Sequence, residues 1–216
     1  MPGKNVRPLG RRPLISWSID VVKGMHEICD ILVTTDDPEI AGITRNEGAL
    51  VPWLRPGELA TDSASSVDVA LHAIDWYEGN KGKVDGLLLL QPTSPFRSRS
   101  SVERGIEMFC KNQFRPVVGV SPARSHPMQC FKIEGDQMRP FIAGGETLRS
   151  QDLPPAYEVN GAIFLIAPDD LRRERSFYPE NMLPLVIDAP EESIDIDTEW
   201  DFQLAKYIAG DIIEEN

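Results

Sequence analysis

Short apolar runs along the chain alternate with stretches of helical spacing. Leu87–Leu90 is an apolar run without polar positions, and the proline-containing turn Gln91–Pro95 ends it. Because proline lacks the amide donor of a sheet ladder, this pattern predicts a strand that is buried on both faces, as in parallel sheets covered by helices. Similar runs predict strands at residues 31–35, 50–54, 117–120, 160–166, 183–187 and 194–198.

Helical spacing of apolar residues, with Ser or Asp at the start and Gly at one end, separates these runs. Helices are predicted at Pro13–Lys23, Pro38–Gly48, Val67–Glu78, Ser101–Lys111 and Glu199–Ala209. Strands that alternate with helices are typical of an α/β domain. We therefore expect a single domain over residues 1–216.

The alternation is interrupted from residue 121 to about residue 151. Prolines and glycines recur there, and Phe131–Ile133 followed by Gly135-Asp136 predicts a hairpin. We interpret this segment as an inserted lobe, either a lid or a dimer arm.

Charge and composition exclude several classes of protein. The net charge of −12 and the lack of clustered Lys and Arg argue against a nucleic-acid partner. An acidic enzyme that binds an anionic small molecule needs a few placed cations and a divalent metal to offset its own field. No run approaches the ~18 apolar residues of a membrane span, and no signal peptide is seen. Three widely spaced cysteines predict reduced, mostly buried thiols in a cytosolic protein.

Asp195 and Asp197 form the most informative polar pattern. Residues i and i+2 of a strand share one face, so both carboxylates would lie together while Ile194 and Ile196 enter the core. Hard oxygen ligands suit Mg²⁺, which takes one or two carboxylates. The alternative is that one aspartate caps the following helix and the other is solvated.

The loop after Leu90 is a second candidate. Ligands of open α/β sheets bind beyond the carboxyl ends of the strands, so Gln91, Thr93, Ser94 and Arg97 would present an amide, hydroxyls and a cation there. An ordinary strand-to-helix loop explains the same residues.

Other polar residues suit an anionic or nucleotide ligand. Lys4, Asn5 and Arg55 are candidate phosphate or base contacts, although single surface charges are usually solvated. Residues 63–66 offer hydroxyls and amides to an anion, or they cap the next helix. Asn160 and Arg149 are further candidates, since an amide hydrogen-bonds through both ends.

Six runs, in order, resemble one family: PGKN, TTDDPEIA, LRPGELATDSASS, LLQPTSPFR, SQDLPPAYEVNGAIF and SIDIDTEWDF. They are similar to those of the acylneuraminate cytidylyltransferases. The resemblance implies a three-layer nucleotide-diphospho-sugar-transferase fold (Rossmann-like), with a mostly parallel sheet and dimerisation through the inserted arm. It also implies that CTP and an acidic 2-keto sugar give the CMP-sugar and pyrophosphate with Mg²⁺ as cofactor.

The resemblance also implies residue roles. The residues expected to contact CTP are Lys4, Asn5, Arg55, Ser65 and Ser66. The residues expected to contact the sugar are Gln91, Thr93, Arg149 and Asn160. Asp195 and Asp197 are expected to hold the metal and to take part in catalysis.

The sequence departs from the family pattern at three places. A first strand and its Ala-Arg-x-Gly-Ser-Lys-type phosphate loop are expected before Pro2, which suggests a truncated or mis-started chain. Ser150 and Glu158 replace arginines common in the family, which would shift sugar preference. Two alternatives stay open. One is a cytidylyltransferase for legionaminic, pseudaminic or 3-deoxy-octulosonic acid. The other is a non-catalytic binding or assembly subunit of the same fold.

Overall fold

The computed structural model describes residues 1, 3–61, 63–144 and 149–214. Its α-helices are α1 (Leu14–Asp20), α2 (Pro38–Asn46), α3 (Ser66–Asn80), α4 (Arg99–Lys111), α5 (Pro168–Glu174) and α6 (Glu199–Glu214). Its strands are β1 (Pro8–Leu9), β2 (Arg12–Pro13), β3 (Leu87–Leu89), β4 (Val117–Pro122), β5 (Phe131–Glu134), β6 (Gln137–Pro140), β7 (Tyr157–Ile166) and β8 (Leu183–Val186).

The central sheet has the strand order β3-β7-β4-β8. β4 and β8 are parallel, whereas β7 runs antiparallel to both β3 and β4. Three of the four strands therefore point the same way, and their carboxyl ends meet at one edge together with the amino-terminal half of β7. Sequence reasoning did not anticipate that β7 is reversed.

Helices cover both faces of this sheet. Alternate residues of β7 point to opposite sides, so Ile163 and Leu165 pack with α4, while Phe164 and Ile166 pack with α3 and α5. Burial on both faces explains why β4 and β7 read as continuous apolar runs. The result is the three-layer α/β architecture that the sequence predicted.

Side-chain caps set the beginnings of several helices, although α1 and α5 have none. Asp37 accepts a hydrogen bond from the Glu39 amide at the start of α2, and Ser98 accepts one from the Ser101 amide at the start of α4. The helix predictions are confirmed, with boundaries that differ by a few residues from those observed.

Three expected strands, at residues 31–35, 50–54 and 194–198, are not regular strands. Residues 31–35 and 50–54 are joined by one parallel bridge, Leu32 to Leu50, rather than by a ladder. A cavity of about 710 Å³ separates residues 31–34 from Leu87–Leu90. Within the described chain, Leu32 therefore has a backbone partner on one side only, and the ladder does not extend.

The hairpin in the irregular segment is confirmed. β5 and β6 pair as an antiparallel two-stranded sheet around the turn at Gly135. Of the expected inserted arm at about 121–151, residues 145–148 lie outside the described part. The assignment of one domain with an inserted arm stays a prediction.

The described helices include none long and apolar enough to cross a membrane. The cysteines are unpaired, as expected, but Cys29 and Cys110 are exposed. The expectation that the thiols are mostly buried was wrong for these two, although Cys29 Sγ accepts a hydrogen bond from the Tyr77 hydroxyl of α3 at 3.4 Å.

Candidate active site at the sheet edge

The site lies where β7 bulges beside the loop that follows β3. The register between β4 and β7 shifts between Val118, which faces Phe164, and Val120, which faces Val159. Bulges of this kind redirect side chains and are common next to active sites. At the shift, Gly161 takes a φ of +71°, a conformation that glycine adopts readily.

Three polar groups converge on Gly161. A Cβ atom built there would lie 3.1 Å from Ser94 Oγ, 3.4 Å from Gln91 Oε1 and 3.6 Å from Asp195 Oδ2. Glycine thus leaves a small space that an amide, a hydroxyl and a carboxylate share, although the three residues are far apart in sequence. Glycine inside a strand often marks a bulge or a close approach of other groups to the backbone, and both are found here.

The acidic segment 194–197 is extended but is not part of a ladder. Ile194 and Ile196 are 7% and 0% exposed, whereas Asp195 and Asp197 are exposed. The alternation predicted from the sequence is therefore confirmed. The segment is fixed by its neighbour, since the Ile196 amide donates to the Thr93 carbonyl at 2.8 Å.

Neither Asp195 nor Asp197 caps α6. Thr198 and Asp201 cap the helix reciprocally: the Thr198 amide donates to Asp201 Oδ2 at 2.7 Å, and the Asp201 amide donates to Thr198 Oγ1 at 3.2 Å. The Thr198 hydroxyl bond also lowers the pKa of Asp201. Asp195 and Asp197 are left as exposed oxygen donors on the same side of the segment.

Lys4 lies beside this pair. Its Nζ donates to the Ile196 carbonyl at 2.7 Å and lies 3.4 Å from Asp197 Oδ1. The structure thus brings together two residues that the sequence placed at opposite ends of the chain. The neighbouring Asn5 has a buried Oδ1 that no described group contacts by a hydrogen bond.

The cavity of about 710 Å³ beside Leu87–Leu90 is lined by several of the candidate residues. These are Arg55, Ser66 and Gln91, and Thr34 lines it as well. Arg55 pairs with Asp36 at 3.0 Å, while its buried Nε has no hydrogen-bond partner in the described chain. Ser65 caps α3 by accepting from the Val67 amide at 3.2 Å. Helix capping, one of the two alternatives for the 63–66 loop, is therefore realised at Ser65.

Three residues expected at the surface of the site face the protein instead. Ser94 is fully buried, and its Oγ donates to the Asn160 carbonyl oxygen at 3.5 Å. Arg97 is 3% exposed and donates inward, so the expectation that its cation is free to face a ligand was wrong.

Burial lowers the pKa of Arg97 to about 9, while Asp195 and then Glu192 act to raise it. The Arg97 guanidinium connects the loop to the sheet, because it donates both to the Gln91 carbonyl oxygen in the loop and to the Ala162 carbonyl oxygen in β7.

The side chain of Asn160 also forms its hydrogen bonds inside the protein. It is 4% exposed; its Nδ2 donates to Ser121 Oγ at 3.0 Å, and its Oδ1 accepts from the Ala162 amide at 3.1 Å. A Cβ at Gly119 would lie 2.7 Å from that Oδ1, so the facing residue must be small. These bonds stabilise the bulge, and the sugar-binding role of Asn160 stays a prediction that they do not favour.

Arg149 and Thr93, unlike Gln91, are not among the three groups nearest to Gly161. Arg149 is exposed, and within the described residues its side chain forms no ion pair with the other candidates. Thr93 meets the acidic segment through its carbonyl oxygen.

Sequence reasoning missed Arg124. Its guanidinium lies 3.7 Å from Glu158 and donates to the Ser193 carbonyl at 3.2 Å, next to the acidic segment. No local pattern signals this position, because Arg124 lies in the irregular segment after β4.

The donor set fits a hard divalent cation. Asp195 and Asp197 supply two exposed carboxylates, and Mg²⁺ typically takes one or two carboxylates and completes its shell with water and phosphate. Among the described residues no cluster of three or more His, Cys, Asp or Glu side chains forms a fully protein-ligated site.

Comparison with known proteins finds a family of nucleotidyltransferases and relatives named as enzymes that make CMP-sugars or transfer cytidylyl groups. The cytidylyltransferase family matches residues 1–130. The chain is 34% identical over 210 residues to the CMP-N,N'-diacetyllegionaminic acid synthase of Legionella pneumophila, covering 95% of this chain and 89% of that enzyme. It is 33% identical over 205 residues to an N-acylneuraminate cytidylyltransferase of Streptococcus agalactiae, covering 94% of this chain but only 48% of that protein.

Solved structures support the fold. A CMP:2-keto-3-deoxy-manno-octonic acid synthetase complexed with CTP superposes with a TM-score of 0.70 at 13% identity, over 98% of this chain and 93% of that one. A 4-diphosphocytidyl-2C-methyl-D-erythritol synthase superposes with a TM-score of 0.67 at 12% identity, over 95% and 92% of the two chains. At such identities the likeness concerns the fold alone.

Proposed function

The chain belongs to the cytidylyltransferase family, and we propose that it transfers a cytidylyl group from CTP to a nonulosonic acid sugar of the sialic type, releasing pyrophosphate. One observation carries the proposal: Gln91, Ser94 and Asp195 converge on Gly161, beside the pair of Lys4 and Asp197. In this arrangement the Gln91 amide would hydrogen-bond a sugar, and the exposed carboxylates together with Lys4 would hold a metal-bound triphosphate.

The sugar-facing wall consists of Gln91 and Thr93. An amide offers both donors and acceptors, and a hydroxyl offers one donor and two acceptors, which suits a ligand rich in hydroxyl groups. We assign the sugar carboxylate to Arg149, an exposed cation that no described carboxylate neutralises.

The nucleotide wall consists of Lys4, Asn5, Arg55, Ser65 and Ser66. Buried polar atoms without partners are uncommon in native proteins, and Asn5 Oδ1 and Arg55 Nε are two such atoms. The hydroxyls of Ser65 and Ser66 stand at the start of the 15-residue helix α3, where Ser65 also caps the Val67 amide. A nucleotide would satisfy all of these groups together.

Asp195 and Asp197 would hold Mg²⁺ in this proposal. When bound, the metal supplies positive charge that neutralises the phosphates of CTP. Lys4 supplies the protein's own positive charge at the same place, since its ammonium lies beside Asp197.

The transfer joins the anomeric hydroxyl oxygen of the sugar to the α-phosphorus and breaks the bond between that phosphorus and the pyrophosphate oxygen. Gln91 and Thr93 orient the hydroxyl for in-line attack, which converts an encounter of two substrates into a step within one complex. Asp195 or Asp197 accepts the hydroxyl proton, and Lys4 stabilises the charge that develops on the phosphates.

A legionaminic-type acid is the second candidate substrate. It is favoured by the 34% identity to the Legionella enzyme, which extends over 95% of this chain and 89% of that enzyme. Pseudaminic and 3-deoxy-octulosonic acids complete the set to be compared. Each of these sugars is a carboxylic acid with the same reacting hydroxyl, so the site chemistry is shared.

We also propose a homodimer that forms through the hairpin of β5 and β6. Ile133 is 78% exposed on this hairpin, and Phe131, Met138 and Phe141 are exposed as well. A two-stranded hairpin is marginally stable alone, and a second copy would cover these side chains. We further propose a cytosolic location, which rests on the odd number and wide spacing of the cysteines in the sequence.

Pyrophosphate release from CTP, with Mg²⁺ and a panel of the four acid sugars, tests the proposal. We expect release with at least one sugar, and loss of release in Asp197→Ala. Asp188→Asn is the matched control, because it removes an exposed carboxylate outside the acidic segment. Failure to release pyrophosphate with every sugar while CTP still binds would favour a non-catalytic binding subunit instead.

A further inference from the structure

Arg97 is a buried cation that forms no ion pair within the described part of the chain. Its guanidinium donates to three oxygens: the Ala162 carbonyl at 2.7 Å, Ser18 Oγ at 2.7 Å and the Gln91 carbonyl. These oxygens belong to β7, to α1 and to the loop after β3. Burying a charge is costly, so a side chain in this position has to contribute through the groups that it joins.

The Gln91 carbonyl oxygen is the centre of this network. Besides the bond from Arg97, it accepts from Ser18 Oγ at 3.4 Å and from the Ser94 amide at 3.3 Å. The main chain of Gln91 is therefore held on three sides, which fixes the origin of its side chain. That side chain reaches Gly161, with Oε1 at 3.4 Å from the position of a Cβ there.

The other end of the clamp lies next to Gly161. Arg97 Nε binds the carbonyl oxygen of Ala162, the residue that follows Gly161 in the bulge. One rigid, planar guanidinium thus sets the separation between the loop of Gln91 and the bulge of β7 at Gly161 and Ala162. A lysine ammonium is a single point charge on a flexible stem, so it does not reproduce this spacing.

Two carboxylates act on the charge of Arg97 through space, although burial outweighs them and lowers the pKa of Arg97. Asp195 and Glu192 are the carboxylates that act on it, and Glu192 is itself buried, accepting from the Ser98 amide at 2.9 Å.

We propose that Arg97 is a positioning residue for the acid sugar: it holds the Gln91 amide against Gly161 without contacting either substrate. This inference rests on the proposed function. Its distinctive consequence is that loss of the clamp weakens use of the sugar and leaves use of CTP nearly unchanged, because the nucleotide wall is built from other segments.

The test measures KM for the sugar and for CTP separately in Arg97→Lys, Arg97→Gln and Arg99→Gln. We expect KM for the sugar to rise about 10-fold in Arg97→Lys and further in Arg97→Gln, with KM for CTP within about 2-fold of wild type. Arg99→Gln is the control, since Arg99 is an exposed arginine two residues away that pairs with Glu103. Unchanged KM for the sugar, with a smaller active fraction only, would mean that Arg97 merely stabilises the fold.

Ser18→Ala keeps the proposal testable if the Arg97 variants do not fold. It removes one oxygen of the clamp and retains the arginine, and we expect a smaller rise of KM for the sugar, about 3-fold. Hydrogen exchange gives a readout that needs no turnover: the Ser94 amide should exchange faster in Ser18→Ala, while amides within α3 keep their wild-type rates. A wild-type enzyme that releases no pyrophosphate would reject the proposed function, whereas unaltered Ser94 exchange would reject the clamp.

Discussion

Lys4 Nζ lies 3.4 Å from Asp197 Oδ1, which joins the first turn of the chain to the acidic segment near its end. The same ammonium donates to the Ile196 carbonyl at 2.7 Å. Because the main-chain bond holds the ammonium in place, its position does not depend on the aspartate alone. A cation held in this way beside an exposed carboxylate suits a site that would bind a metal and phosphate oxygens together.

Lys4→Met should lower kcat/KM about 100-fold, because one preorganised charge at the phosphates is lost. Lys4→Arg retains the charge, so its kcat/KM should fall by a smaller factor. Steady-state kinetics with CTP as the varied substrate measures the effect. Wild-type kinetics in Lys4→Met would contradict a phosphate-binding role for this residue.

Gly161→Ala should reduce both stability and activity. A non-glycine residue at a φ of +71° costs ~1–2 kcal/mol, and the new methyl group would meet Ser94 Oγ at 3.1 Å. Gly135→Ala is the matched control, with a φ of +66° and nothing within 4 Å of the added Cβ. Urea unfolding should show a loss in both variants, and pyrophosphate release should fail in Gly161→Ala only. Equal activity in the two variants would argue against a ligand at Gly161.

The ion pair of Arg7 and Glu199 should make stability depend on acid pH. The hydrogen bond from Arg7, followed by that from Gln203, lowers the pKa of Glu199 from 4.5 to about 2. Since the folded pKa is the lower one, this contribution to stability is complete above pH 4.5 and is lost as the pH falls through about 2. Glu199→Gln should therefore lower Tm at pH 7 and leave it nearly unchanged near pH 2.

Thermal unfolding at a series of pH values measures this difference. Glu58→Gln, which removes an exposed glutamate with no ion-pair partner in the described chain, should give a curve that runs parallel to that of wild type. A Glu199→Gln curve that is also parallel would show that the ion pair contributes nothing.

Ile133→Asp should convert a homodimer into a monomer, because it places a charge at the most exposed apolar position of the hairpin. Tyr207→Asp is the control: it alters an apolar residue of α6 that is similarly exposed but lies outside the hairpin. Sedimentation equilibrium measures the mass of each variant. Dissociation by Tyr207→Asp, with Ile133→Asp still dimeric, would place the interface on α6 rather than on the hairpin.

The alternation of Ile194, Asp195, Ile196 and Asp197 shows what local pattern predicts well. Side chains of an extended chain alternate in direction wherever the segment lies, so both carboxylates were expected on one side, and both are exposed there. The strand itself was not confirmed, because one hydrogen bond from Ile196 to Thr93 replaces a ladder. Periodicity predicts side-chain direction, whereas a strand also requires a neighbour.

Arg97 and Asn160 show where reasoning from side-chain chemistry ends. Both were expected to face a ligand because a guanidinium and an amide are good hydrogen-bonding groups. In the structure the same groups are taken up by Ser18, Ser121 and Ala162. A polar side chain after a buried strand has the same local sequence context whether it points outward or inward.

The sequence by itself determined the alternating elements, the helix starts at Asp37 and Ser65, and the side of the chain on which Asp195 and Asp197 lie. These features depend on backbone geometry and on neighbours a few residues away. Only the tertiary structure decided that Gln91, Ser94 and Asp195 meet at Gly161 and that Arg97 is buried. Their meeting depends on the reversal and bulge of β7, which arise from packing between segments that are distant along the chain.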